Sequence, residues 1–171
     1  MAPGLKNMDR SDYDVRNPFV GADGYQCFGC DPNNGIGLRL TFHRSGDVVT
    51  TSWHPRGDLE GYPGVVHGGI QATLADEVGS WYIYAVIGTA GVTRDLRITY
   101  ENTARTDDGP FRIVAKSTER SAKEALVEVE LFNAAGVRVA VAMVTYALFS
   151  EAVARKRLLF PGADAFLPDA P

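Results

Sequence analysis

The sequence predicts an α+β fold in which an antiparallel sheet is wrapped around one long central helix. Three observations carry this. Short segments with period-two alternation come first, then one apolar helix from about His67 to Val86, then four more alternating segments. Strands and helix are grouped along the chain rather than interleaved, which favours an antiparallel sheet over a parallel one. The helix is apolar or small on most sides, and such a helix is buried on most sides. A length of 171 residues suits one domain with one core.

Each element has its own signal. Residues 1–25 are polar and unpatterned and read as an N-terminal arm. Asp31-Pro32-Asn33-Asn34-Gly35 is dense turn chemistry. Leu38, Leu40 and Phe42 alternate with Arg39, Thr41 and His43, the pattern of a half-buried strand. After Ser45-Gly46, Val48–His54 forms a second strand that Pro55 stops. In the helix, Ile70, Leu74, Val78 and Trp81 recur at helical spacing, while Ala72, Ala75, Gly79 and Ala85 leave the other faces small. Leu96, Ile98 and Tyr100 then mark a strand, as do Phe111, Ile113 and Ala115, and Val127, Val129 and Leu131. Val137, Val139, Val141 and Met143 mark the last one, entered through an Asn133–Gly136 hairpin turn. Residues 26–150 thus form the folded domain. Residues 151–171 are a C-terminal extension, with a short basic helix over Glu151–Phe160 and a loose tail. One sheet covers one side of the helix, so the small-residue faces call for a second copy of the chain.

Composition narrows the function classes. Lys plus Arg number 17 and Asp plus Glu 21, a formal charge of −4, with 45% apolar and 22% charged residues. This is ordinary globular composition, and the acidic balance argues against a nucleic-acid coat. The longest stretch free of Asp, Glu, Lys and Arg is Val78–Thr93, interrupted by glycines and shorter than the roughly 20 apolar residues of a membrane span. Met1–Arg10 has no apolar secretory core, so a cytoplasmic location is expected. Cys27 and Cys30, in Cys-Phe-Gly-Cys, have the spacing of a metal or redox pair. No second pair completes a four-ligand zinc site, so structural thiols and no metal are expected.

The chemistry gathers at the helix. His67-Gly68-Gly69 opens it, and glycines there leave the free N–H groups of the first turn accessible to a ligand. Those N–H groups of Gly68 and Gly69, with the positive dipole end, suit a developing oxyanion. Asp76 lies in the middle of an apolar helix, where a carboxylate is costly unless paired or used, and where it is a candidate base or nucleophile. Its neighbour Glu77 points about 100° away, a further substrate-binding candidate. Gly68 and Asp76 are eight residues apart, roughly 12 Å along one helix, whereas groups acting on one carbonyl must converge to about 3–3.5 Å. One helix cannot supply both, so if both act, the amide comes from one protomer and the carboxylate from the other.

The run from His67 to Glu77, with Gly61–Val66 before it, resembles the active-site segment of hotdog-fold acyl-CoA thioesterases of the PaaI-like (phenylacetate-pathway) subgroup. Cys27–Cys30, Asn34–Leu38 and Val92–Tyr100 carry the same resemblance, which covers residues 25–150. It implies that the Gly68 amide polarises the thioester carbonyl and that Asp76 of the other protomer is the nucleophile or general base. It also implies that Thr93 helps hold water or substrate and that His67 is a candidate catalytic residue, either supporting the helix start or hydrogen-bonding near the thioester. Gly61 departs from the pattern, standing where many relatives carry Asn or Gln; Glu60 and Gln71 are the candidate replacements. Coenzyme A is part of the substrate, so no cofactor is expected, and Arg94 and Arg97 are candidates for its phosphates. The expected assembly is a homodimer or homotetramer. The competing reading is a non-catalytic acyl-CoA or small-ligand binding protein on the same fold.

Overall fold

The computed structural model describes residues 11–168. Eleven elements matter here: β1 (Asp12–Val15), β2 (Phe42–Ser45), β3 (Val48–Trp53), β4 (Glu60–Tyr62), β5 (Val65–Val66), α1 (Gly68–Tyr82), β6 (Gly91–Tyr100), β7 (Phe111–Arg120), β8 (Glu124–Phe132), β9 (Arg138–Leu148) and α2 (Glu151–Leu158). Seven strands form one sheet in the order β1-β2-β3-β7-β8-β9-β6, and β4 and β5 make a separate two-stranded ribbon. All the pairings are antiparallel. The sheet curls around α1, which packs against β3, β6, β7, β8 and β9. This is the hotdog arrangement expected from the sequence.

The strand alternation of β7 and β8 faces the helix as read: Phe111, Ile113, Ala115, Val127, Val129 and Leu131 are all buried. The last strand is the exception. Its buried residues run through Ala140, Ala142, Val144 and Tyr146, the opposite phase to Val137, Val141 and Met143, while Val139 of the expected phase is buried as read. Both faces of β9 are apolar, so hydrophobicity cannot choose between them. The small alanines occupy the helix side, where space is short.

Other expectations also shift. Leu38 and Leu40 are buried as predicted, but the strand begins only at Phe42. Arg39 has φ of 55°, and Leu38 and Leu40 donate their N–H groups to Phe28 and Gly29 rather than to a strand partner. Within the expected arm, β1 is an edge strand with Tyr13 and Val15 buried; residues 1–10 lie outside the described residues. The C-terminal tail is not loose. Phe160 and Phe166 are buried and stack on Tyr84, with ring centroids 6.2 and 4.9 Å away.

Helix α1 continues into a π-helical turn, residues 83–87, which Gly88 ends with φ of 79° and an N–H donated to Ile83. Of its small residues Ala75, Gly79 and Ala85 are covered within the chain, whereas Ala72 is only half-buried. What stays partly open on α1 is a strip at its N-terminal half that includes Ile70, Thr73 and Asp76.

Candidate active site

The β4–β5 ribbon delivers the chain to the start of α1. His67 is the N-cap, and its Nδ1 accepts the Gly69 N–H at 2.9 Å. The neutral ring therefore carries its proton on Nε2. Tyr100, at the end of β6, donates its hydroxyl to the Gly68 carbonyl at 2.8 Å and so ties the helix start to the sheet edge. A methyl on Gly68 would come 3.1 Å from that hydroxyl, which explains a glycine here. The Gly69 N–H is consumed by the cap. The Gly68 N–H donates to no group among the described residues and is available to a ligand.

Two turns on, Asp76 is half-buried. Its Oδ1 accepts the Thr93 hydroxyl at 2.6 Å and the Tyr146 hydroxyl at 3.3 Å. Tyr146 also donates to the Asp76 backbone carbonyl at 2.7 Å. Both hydroxyls sit on Oδ1, so Oδ2 is left without a partner among the described residues. Burial, then the Asp76 charge, holds the Tyr146 phenol well above the usual tyrosine range, so it remains a donor. Gly79 makes this possible, because a methyl there would overlap the Tyr146 hydroxyl. The role of Tyr146 was not legible in the sequence. The one signal was a polar-tipped aromatic in a largely apolar strand.

The remaining candidates divide. Glu77 leaves this face: its Oε1 accepts from Trp81 Nε1 at 3.1 Å and lies 3.5 Å from Cys27 Sγ. Glu60 accepts the Thr106 hydroxyl at 3.1 Å. Gln71 is buried beneath the first turn, where Nε2 donates to the Val66 carbonyl at 3.2 Å and Oε1 has no partner among the described residues. Neither replaces the missing amide side chain at position 61. There, a methyl on Gly61 would stand 3.2 Å from the His67 ring, so the ribbon rests directly on the imidazole. On β6, Arg94 pairs with Glu124 at 2.7 Å, while Arg97 is exposed. Trp81 stacks on Phe42 at 4.4 Å in the core, away from Asp76.

Gly68 and Asp76 thus share one straight helix, about 12 Å apart along its axis. Each has a free group pointing away from its own chain's hydrogen bonds. Beside them, β6 pairs with β9 on one edge and with no strand among the described residues on the other.

The Thioesterase superfamily model matches residues 63–140. The matched segment holds His67, Gly68, Asp76 and Thr93 and stops short of Tyr146. No curated protein matches the sequence. Among solved structures, AziG of S. sahachiroi is 26% identical, with 66% of this chain and 94% of that one aligned at a TM-score of 0.61. Zebra fish thioesterase superfamily member 2 is 26% identical over 64% and 81% of the two chains, at 0.59. A hypothetical thioesterase of Streptococcus pneumoniae, solved with coenzyme A, is 23% identical over 61% and 83%, at 0.57. The last likeness is one of fold. No helix among the described residues is long and apolar enough to cross a membrane.

Proposed function

We propose that the protein is an acyl-CoA thioesterase of the PaaI-like kind, hydrolysing its substrate to a free acid and coenzyme A at sites shared between two protomers. The observation that carries this is the pair of unengaged groups on α1, the Gly68 N–H and Asp76 Oδ2, too far apart to meet on one helix. Antiparallel pairing of β6 with a second β6 would bring the Gly68 end of one helix towards Asp76 of the other. The match of residues 63–140 to the Thioesterase superfamily model supports the reaction class.

In this reading the thioester oxygen accepts from the Gly68 N–H, which stabilises it as charge develops. Asp76 Oδ2 either attacks the carbonyl carbon, giving an anhydride that water then opens, or takes a proton from attacking water. In both routes the C–S bond breaks and the departing sulfur is protonated. Thr93 and Tyr146 hold Oδ1 and so aim Oδ2. His67 orients the first turn rather than exchanging protons. Arg97 and the Arg94–Glu124 pair lie along β6, where the coenzyme phosphates would run. The hydrolysis itself calls for no cofactor. Two free thiols suit a reducing compartment, and a cytoplasmic setting is part of the proposal.

The test is thiol release across short, long and aromatic acyl-CoA substrates. Asp76→Asn keeps the shape of the side chain and should cut turnover by about 10²–10⁴-fold. Turnover at the parent rate in Asp76→Asn would refute the mechanism. Acyl-CoA binding by the parent protein without thiol release would favour the ligand-binding alternative. Single turnover in ¹⁸O-water separates the two routes, since label enters the Asp76 carboxylate only if it is the nucleophile.

A further inference from the structure

On the far side of α1 from Oδ2 lies a cavity of about 540 Å³, walled by Phe19, Tyr25, Trp81 and Tyr84 and reached by Cys27, Cys30 and Glu77. Of the last three, Glu77 comes from a place in the sequence far from the two cysteines. Glu77 is 50 residues beyond Cys27, and helical geometry alone turns it to this side while Asp76 faces the other. One ligand atom from each of the three lies within 4.8 Å of the others. The two sulfurs are 3.2 Å apart, and Glu77 Oε1 is 3.5 Å from Cys27 Sγ.

From these observations we infer a metal site: Cys27 Sγ, Cys30 Sγ and the Glu77 carboxylate bind one zinc-class ion at the wall of this cavity.

Five features carry it. The ligand set is two soft sulfurs and one carboxylate, which suits zinc and not magnesium or calcium. A tetrahedral zinc with bonds of about 2.3 Å to sulfur sets the sulfurs about 3.8 Å apart, so they need to part by only about 0.5 Å. Gly29, between the cysteines, is required for the approach, because a methyl there would overlap the Glu77 carboxylate. The outer partners are also in position: Tyr25 Oη is 3.0 Å from Cys30 Sγ, and Trp81 Nε1 donates to Glu77 Oε1, leaving Oε2 free. The charge is right too. The cavity lining contains Asp23 and Glu77 but no Lys or Arg, so ionised thiols here have a metal cation as their natural counter-charge. Three protein ligands leave the fourth position open to the cavity, where water completes the shell.

The site is separate from Gly68 and Asp76, so its test is independent of the proposed hydrolysis. The full chain, stripped of metal and reduced with a phosphine under anaerobic conditions, is titrated with Co²⁺. The expected result is one equivalent bound per chain, with sulfur-to-cobalt charge transfer in the near ultraviolet and the visible bands of a tetrahedral site, both bleached by one equivalent of Zn²⁺. Cys27→Ser and Cys30→Ser should each lose most of the charge-transfer band. Glu77→Gln, which keeps an acceptor for Trp81, should weaken affinity by at least about tenfold. Absence of tetrahedral cobalt bands in the reduced wild-type chain overturns the proposal, whatever the variants do. So does affinity unchanged in a folded Glu77→Gln, which would mean adventitious binding to two thiols. Ready closure of a Cys27–Cys30 disulfide in air, with no metal taken up by the reduced chain, would mean a redox pair instead.

Discussion

Asp76 was legible as a candidate because a carboxylate in an apolar helix stands out, and Gly68 because glycine is a poor residue inside one. What surrounds Asp76 was less legible. Thr93 entered through resemblance, and Tyr146 did not enter at all, because a strand apolar on both faces hides which one meets the helix. Yet Tyr146 makes two of the three side-chain hydrogen bonds that the Asp76 residue accepts. Tyr146→Phe removes both, leaving the Asp76 carbonyl with only its helical N–H and Oδ1 with only the Thr93 hydroxyl. It should destabilise the protein by about 1–3 kcal/mol in urea melts and lower turnover while leaving KM nearly unchanged. Gly79→Ala tests the same contact from the helix side. Its methyl overlaps the phenol hydroxyl, so it should cost about 1–3 kcal/mol, although an alanine inside a helix is normally favourable. A stabilised Gly79→Ala would show that Tyr146 is not held where described.

Among the elements, α1 was the most legible, since its periodicity and length are strong signals. Its N-cap was not, since His67 could serve structure or chemistry. The cap geometry assigns it a positioning role. His67→Ala should lower Tm by about 2–4 °C through loss of roughly 1 kcal/mol of capping, and it should reduce turnover by misorienting Gly68. Asn is a good cap, so His67→Asn should recover both; recovery of stability without turnover would point to a chemical role instead. The edge strand β1 was hidden for a different reason. Four residues with charges at alternate positions look like a solvated arm, and only their partners on β2 reveal the strand. His43 on β2 bridges them, with Nδ1 2.8 Å from Asp14 and Nε2 2.9 Å from Asp12. The Asp14 hydrogen bond, with Asp12 adding to it, raises the His43 pKa above its usual 6.5. A raised histidine stabilises fully below the unfolded pKa, and that stabilisation is lost as pH rises through the folded value. Tm should therefore fall between about pH 6 and pH 8 by more in the parent than in His43→Gln. Equal slopes would mean that the exposed bridge contributes nothing.

At the scale of the whole molecule, strand order and one buried helix pointed to an α+β layer pair, and the hotdog layout entered through the resemblance. The reason for expecting a second copy changed. Small residues on α1 suggested an uncovered face, but the chain covers Ala75 and Gly79 itself. The case for a pair now rests on the open edge of β6 and on two reactive groups facing away from each other's reach. The most direct test is a mixed dimer, with Gly68→Val on one protomer and Asp76→Asn on its partner, isolated through two affinity tags. Each homodimer should be nearly inactive. If each site takes Gly68 from one protomer and Asp76 from the other, the mixed dimer rebuilds one intact site of two and recovers about half of the wild-type turnover. A mixed dimer no more active than the two homodimers would contradict a shared site.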